Sequence, residues 1–204
     1  GSSVVLRHRL PDRLLHWSTA VCILILLGTG LLPVIGLRFE WVTIHWIAGL
    51  LMFLLIGLHI FRVVLRNQIL SIWFGIKDLR IMRSYLSKAS SSILKPGKYS
   101  PAQKLMHLGV TLLTMITILT GLLMMARIDT PLWERNIYLL TDETWGLVYV
   151  FHGLASLCLV TTIMLHIYFS LRPEKWMYLR SMLNGWVTKE ELEEHHNKEE
   201  WAGD

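Results

Sequence analysis

Four stretches of the 204-residue chain contain no Asp, Glu, Lys or Arg: 14–37, 41–61, 105–126 and 144–171. As helices rising about 1.5 Å per residue, each is long enough to cross a hydrocarbon core of about 30 Å. A chain that is 53% hydrophobic and only 17% charged is too apolar for an ordinary soluble domain of this size. The expected fold is all-α: an integral membrane four-helix bundle over 1–171, with spans at about 14–37, 41–65, 102–126 and 144–171, followed by a tail over 172–204. The first stretch has no small-residue cleavage site and contains His16, so it reads as a permanent span rather than a signal peptide.

The basic residues orient the spans. Seventeen of the twenty Lys and Arg residues fall in the N-terminal segment, around the 62–104 connection, and after Leu171. The other three, Arg38, Arg127 and Arg135, share two short loops with Glu40, Asp129, Glu134, Asp142 and Glu143. This bias puts both termini in the cytoplasm. The net charge of +5 is then a topology signal that meets anionic lipid heads, and it calls for no nucleic-acid partner.

Between the second and third spans, Leu70, Trp73, Phe74, Leu79, Met82 and Leu86 recur at helical spacing against Lys77, Arg80 and Arg83. The pattern predicts an amphipathic helix over 70–86 lying along the inner interface, then a loop rich in Ser, Pro and Gly ending at the third span. In the tail, Gly185 marks a helix stop, and Thr188 with Glu191 forms a capping box that opens a short polar helix. His195 and His196 lie among its glutamates, where a solvated face is expected ahead of metal binding. Cys22 and Cys158 lie within spans as small apolar packing groups. Neither a disulfide framework nor a CxxCH attachment motif exists.

Six of the nine histidines stand in or at the edge of spans: His16, His45, His59, His107, His152 and His166. A polar group moved into apolar surroundings without a hydrogen bond costs roughly 2–7 kcal/mol, so these residues demand partners. His45 and His59 are fourteen positions apart, as are His152 and His166. The same interval separates His16 from Gly30 and His107 from Gly121. Fourteen residues bring a helix back to nearly the same face after about 21 Å.

Because alternate spans run in opposite directions, an outer level collects Gly30, His45, Gly121 and His152. An inner level collects His16, His59, His107 and His166. At the outer level two imidazoles from parallel spans face each other, and two glycines leave room for a flat macrocycle whose iron takes one nitrogen from each side. The pattern points to haem b with bis-histidine ligation at two heights. The inner level offers four histidines for two axial positions, and the spacing leaves either His16 or His59 as the partner of His166.

RLLHW at 13–17, IHWIAG at 44–49, GKYSPAQK at 97–104, FHGLASLCLVTTIMLHIY at 151–168 and the tail ending in EEHH resemble the cytochrome b (gamma) subunit of respiratory formate dehydrogenases, related to that of nickel-iron hydrogenases. The resemblance covers nearly the whole chain, in order. It implies two b haems, the outer held by His45 and His152 and the inner by His16 and His166. It implies a bacterial or archaeal cell membrane, an iron-sulfur partner and a catalytic subunit outside, and reduction of a quinone (menaquinone or ubiquinone) near the inner haem. Where the family commonly reads GKYNAGQK, this chain has Ser100, Pro101 and Ala102. His59 and His107 lie outside the family's ligand set, and His59 with His166 remains the alternative inner pair, as in the paired-histidine helices of bc-type cytochromes b.

The expected quinone-site donors are Tyr99, Ser100, Gln103 and His107, with His59 as a further candidate. Ser100 also reads as the N-cap of the third span with Pro101 at its first position, and Tyr99 as an interface anchor. The loop around Trp133 is the expected docking point of the electron-donating partner. Two other classes fit less of the pattern. One is a stand-alone di-haem enzyme oxidising a small reductant such as superoxide. The other is a haem-free proton relay, against which the spans offer no carboxylate.

Overall fold

The computed structural model describes residues 4–66, 73–86, 96 and 98–196. Among them, four helices are long and apolar enough to cross a membrane: α1 (Leu10–Leu31), α2 (Trp41–Leu65), α4 (Pro101–Met125) and α5 (Asp142–Leu171). Most of their large apolar side chains, such as Leu24, Leu54, Leu112 and Leu157, are open to the surroundings. That is the surface a lipid-facing helix must present.

The ends of these helices are set by local chemistry. α1 begins four residues before the uncharged stretch, with Pro11 and Asp12 in its first turn, positions that suit a missing N–H and a negative charge. It stops at Leu31, short of the expected 37, because Pro33 disfavours helix in the residue before it. The chain then turns through Gly36 at φ +98°. The start of α4 is capped reciprocally. The Ser100 N–H donates to Gln103 Oε1 at 2.9 Å, and the Gln103 N–H donates to Ser100 Oγ at 3.3 Å, with Pro101 at the first helical position. α5 starts two residues early at Asp142, where Thr141 Oγ1 accepts from the Thr144 N–H at 3.3 Å and Asp142 and Glu143 occupy the positive end of the helix dipole.

The chain divides into two compact units, residues 15–60 with 110–165, and residues 1–14, 61–109 and 166–204. In the first, small residues bring α1 and α2 together. Cys22, Ala48 and Met52 form a buried cluster against Ile23, Leu26 and Ile118, and the Cys22 thiol donates to the Ala48 carbonyl at 3.1 Å. Close backbone approach of this kind replaces the hydrophobic drive that helices lack in lipid. On α5, Ala155 and Leu159 are buried at the same offsets from His152 as Ala48 and Met52 are from His45. The loop after α4 is tied to the helix ends by the Trp133 indole donating to the Met125 carbonyl at 3.0 Å. The Trp145 indole donates to the Ile137 carbonyl at 3.2 Å.

The second unit holds a small α/β cap. Strand β1 (Val4–Leu6) pairs antiparallel with β2 (Trp186–Thr188), Val5 opposite Val187. Around them, Met177 of α6 (Trp176–Asn184), Val187, and Leu192 of α7 (Lys189–His195) form an apolar cluster with Val5 and Tyr178. Gly185 ends α6 at φ +96°. Its carbonyl accepts from the N–H groups of Arg7 and His8 at 2.8 and 3.2 Å, and a Cβ there would lie 2.8 Å from the His8 carbonyl oxygen. The capping box of Thr188 and Glu191 is formed. His196 is not on the solvated face expected of it. It is 2% exposed, with Nε2 3.0 Å from the Tyr178 hydroxyl and 3.5 Å from an Arg7 nitrogen, because the tail folds back onto the N-terminal strand. The Arg7 guanidinium stacks 4.7 Å above the Tyr178 ring and donates to the Lys98 carbonyl. Burial holds it below its ordinary pKa, against the opposing influence of Tyr178 and Tyr99.

In the same unit Asp12 accepts from Arg62 and Arg66 at 2.7 and 3.0 Å. The expected helix over 70–86 is shorter, α3 at Ile76–Leu86, and residues 70–72 lie outside the described residues. Gly75 precedes it, with its N–H donating to Asp78 at 2.9 Å. The buried Asp78 carboxylate also pairs with Lys104 of α4 at 3.0 Å. Most of the loop expected after α3 also lies outside the described residues.

Two outcomes follow for the cap. Gly185→Ala combines a left-handed φ with a backbone clash, and a loss of about 1–3 kcal/mol of local stability is expected, read as faster proteolytic release of the C-terminal segment. The Glu191 carboxyl lies below the usual carboxylate range: burial raises it, but the Thr188 N–H and the Arg180 guanidinium outweigh burial. A depressed folded pKa means that the stabilisation is present above the unfolded value and is lost as pH falls through the folded one. The protection factor of the Glu191 amide should therefore fall as pH falls through the carboxylate's depressed folded pKa, and Glu191→Gln should remove that dependence.

Candidate functional site: paired histidines in a membrane cavity

All the groups of this site belong to the unit of residues 15–60 and 110–165. His45 of α2 and His152 of α5 face each other with ring centroids 6.3 Å apart and planes crossed at 71°. Each ring is held by a threonine on the preceding span. Thr29 Oγ1 is 2.8 Å from His45 Nδ1, and Thr120 Oγ1 is 2.8 Å from His152 Nδ1.

The hydroxyl protons are already committed. Thr29 donates to the Ile25 carbonyl at 2.7 Å and Thr120 to the Ile116 carbonyl at 2.6 Å, the back-bond that a helical threonine makes one turn earlier. All of these contacts are met when the hydroxyl gives its one proton to the carbonyl, which can only accept, and the histidine donates from Nδ1. The backbone carbonyls of Leu26 and Thr117 also accept from His45 and His152. Both neutral rings therefore leave a lone pair on Nε2, the form in which imidazole binds a metal.

The glycines beside them make the fit possible. A Cβ at Gly30 would lie 3.3 Å from His45 Cε1, and one at Gly121 would lie 3.3 Å from His152 Cε1. What these glycines spare is thus the imidazole itself, next to the space the sequence reserved for a macrocycle. A cavity of about 490 Å³ opens here among α1, α2, α4 and α5, with His45, His152, Met52, Thr117 and Ile118 on its walls. That volume falls in the range of cofactor sites, about 300–1,000 Å³. Two further wall residues bear on a polar, metal-centred occupant. Arg127 lies over the Trp145 and Tyr149 rings at 5.3 and 5.7 Å, a fixed cation on the wall. Thr114 Oγ1 is buried without a hydrogen-bond partner.

The residues fit an iron porphyrin. Metal–imidazole bonds of about 2 Å on both sides, with ring radii of about 1 Å, require centroids about 6 Å apart, and the observed spacing matches. The fold and the site are thus those expected of a membrane-embedded haem protein. The chain matches the family described as prokaryotic cytochrome b561 over residues 7–185, and it belongs to that family. It is 23% identical to the formate dehydrogenase cytochrome b556 subunit of Haemophilus influenzae, over 94% of this chain and 80% of the relative. It is 22% identical to the formate dehydrogenase cytochrome b556(fdo) subunit of Escherichia coli strain K12, over 94% of this chain and 90% of the relative. With its four apolar helices, the chain is a multi-pass membrane cytochrome b with a role in electron transfer, as the resemblance of its histidine and GKYSPAQK motifs implied.

The remaining sequence candidates divide between the two units. His16 and His59 fall in the unit just described, His107 and His166 in the other. His16 meets the Trp17 ring edge-on at 5.3 Å, and the Ser170 hydroxyl donates to the His166 carbonyl. Ser100 and Gln103 are engaged in capping α4, and Tyr99 lies beside Lys98 and Arg7. Gly97 lies outside the described residues. The sequence reading missed Thr29, Thr114 and Thr120. The repeated Thr-Gly dipeptide, at the same interval from His16 and His107, was the available signal for two of them.

Gly30→Ala and Gly121→Ala should each force the adjacent imidazole away by a few tenths of an ångström. The expected cost is about 1 kcal/mol of hydrogen bonding, visible as earlier loss of haem absorbance on heating than in the unaltered protein.

Proposed function

We propose that this chain is the di-haem electron-transfer subunit of a respiratory complex, passing electrons from an iron-sulfur partner on the outer face to quinone near the cytoplasmic face. The observation that carries the reading is the His45 and His152 pair, crossed at 71° with both Nδ1 atoms 2.8 Å from threonine hydroxyls. Each haem, when bound, supplies a one-electron centre whose potential follows its axial ligands, burial and surrounding hydrogen bonds. His45 and His152 would hold the outer group, with Arg127 available to its carboxylates. His166 with His16, or with His59, would hold the inner one.

The chain's own residues set the direction. The bias of Lys and Arg toward the termini and the 62–104 connection puts those segments in the cytoplasm. The loop between α4 and α5, with Asp129, Glu134 and Trp133, then faces the partner, and α3 lies along the cytoplasmic interface. The names of the relatives support membership of a formate dehydrogenase type of complex. Tyr99, Ser100, Gln103, His107 and His59 are the candidates for holding quinone and delivering its protons. The identity of the primary reductant belongs to the catalytic subunit.

Reduced-minus-oxidised spectra of the detergent-purified chain should show about two b haems per polypeptide. His45→Ala and His152→Ala should each abolish the same one. Separate replacement of His16 and His59 identifies the inner partner as the variant that loses the other haem. A colourless protein produced with ample haem supply would sink the proposal. Reduction of the isolated chain by superoxide, without any partner, would favour the stand-alone enzyme instead.

A further inference from the structure

We propose that Thr29 and Thr120 are positioning residues that set both the redox potential and the crossed ligand planes of the iron site formed by His45 and His152. This deepens the haem reading above and rests on it. The two threonines lie on α1 and α4, and the histidines that they hold lie on α2 and α5. Each imidazole is therefore fixed by a neighbouring helix rather than by its own.

The arrangement is the same on both sides. Each hydroxyl is spent on a backbone carbonyl one turn earlier, at 2.7 Å for Thr29 and 2.6 Å for Thr120. That bond anchors the oxygen to its helix and leaves its lone pairs for Nδ1–H, at 2.8 Å in both cases. The following glycine closes the other edge of the slot, since a Cβ would stand 3.3 Å from Cε1 at either position. Ring rotation is thus blocked from two directions, and the rings stay crossed at 71°.

Two consequences follow for an iron bound between them. An Nδ1–H that donates makes Nε2 a stronger electron donor, which favours oxidised iron and lowers the potential. Two such bonds act in the same direction. Crossed axial planes also bring the two iron d orbitals of π symmetry closer in energy, which spreads the g values of the oxidised low-spin centre. A merely structural threonine would influence neither quantity.

The test uses the full-length protein in detergent with Thr29→Val, Thr120→Val, the double Val variant and the matching Ser variants. Valine keeps the shape and removes the hydroxyl acceptor, leaving only the Leu26 or Thr117 carbonyl, whereas serine keeps the hydroxyl. Each single Val variant should move the midpoint potential of one haem upward, and the double variant should move it further. The paramagnetic resonance signal of the oxidised haem should become less anisotropic, and Ser should restore both quantities. Loss of haem from Val but not from Ser supports the same conclusion. Unchanged potential and resonance in the Val variants, or loss of haem from Ser as well, overturns it.

A readout free of haem is the ring nitrogen-15 shifts of the haem-free chain. They should report His45 and His152 protonated on Nδ1 in the unaltered protein and mixed tautomers in the Val variants. Protonation on Nε2 in the unaltered protein overturns the proposal. If the unaltered protein never takes up haem, the function proposed above fails, while the nitrogen shifts still decide the Thr–His pairing.

Discussion

A neutral imidazole placed in hydrocarbon has one donor and one acceptor to satisfy, and everything at the His45 and His152 level is arranged around that requirement. Threonine settles the donor side without bringing a charge into the membrane. Its own proton is disposed of locally, on the helix that carries it, so the problem is not passed to another group. The acceptor side, Nε2, is what remains for the metal binding proposed above. Polar satisfaction and ligand tautomer are then one choice, which explains why residues as unremarkable as Thr29 and Thr120 stand next to the two glycines.

The solution is used twice. Thr29-Gly30 serves His45 and Thr120-Gly121 serves His152, and each histidine is followed at matching offsets by a buried alanine and then by a buried Met52 or Leu159. α1 with α2 and α4 with α5 are therefore equivalent halves in the chemistry of this level. The equivalence is incomplete in the wall of the cavity, where Thr114 and Thr117 of α4 take the places that Ile23 and Leu26 hold on α1. One half of the wall is consequently more polar.

The spans and the facing histidines were legible because both depend on local periodicity: charge-free length gives the former and a fourteen-residue interval the latter. The span ends shifted where a local rule outweighed hydropathy, at Pro33, Thr141 and the Asp12 that pairs with Arg62. The pairing of β1 with β2 joins segments some 180 residues apart in strands of only three residues, too short for an alternating pattern to stand out. The burial of His196 went unseen for the same reason, since it depends on Arg7 and Tyr178 arriving from elsewhere. Thr29 and Thr120 were hidden differently. A threonine in a membrane helix is ordinary, and only its partner across the helix pair gives it a role.

Helices in lipid gain little from excluding water, so their association depends on close packing and on the few polar contacts between them. In the unit that carries the site, such contacts include the Cys22 thiol on the Ala48 carbonyl and the two Thr–His pairs. A group that binds only the folded form stabilises it in proportion to its affinity and concentration. When its ligands lie on two different helices, that binding also fastens the helices together. With a haem held by His45 and His152 as proposed, ligand geometry and fold stability would be coupled, and a substitution that loosens an imidazole would loosen α2 and α5 with it. The glycine at each ring edge marks the limit of this coupling, because even one methyl group would press on the ring and be felt by the helix that carries it.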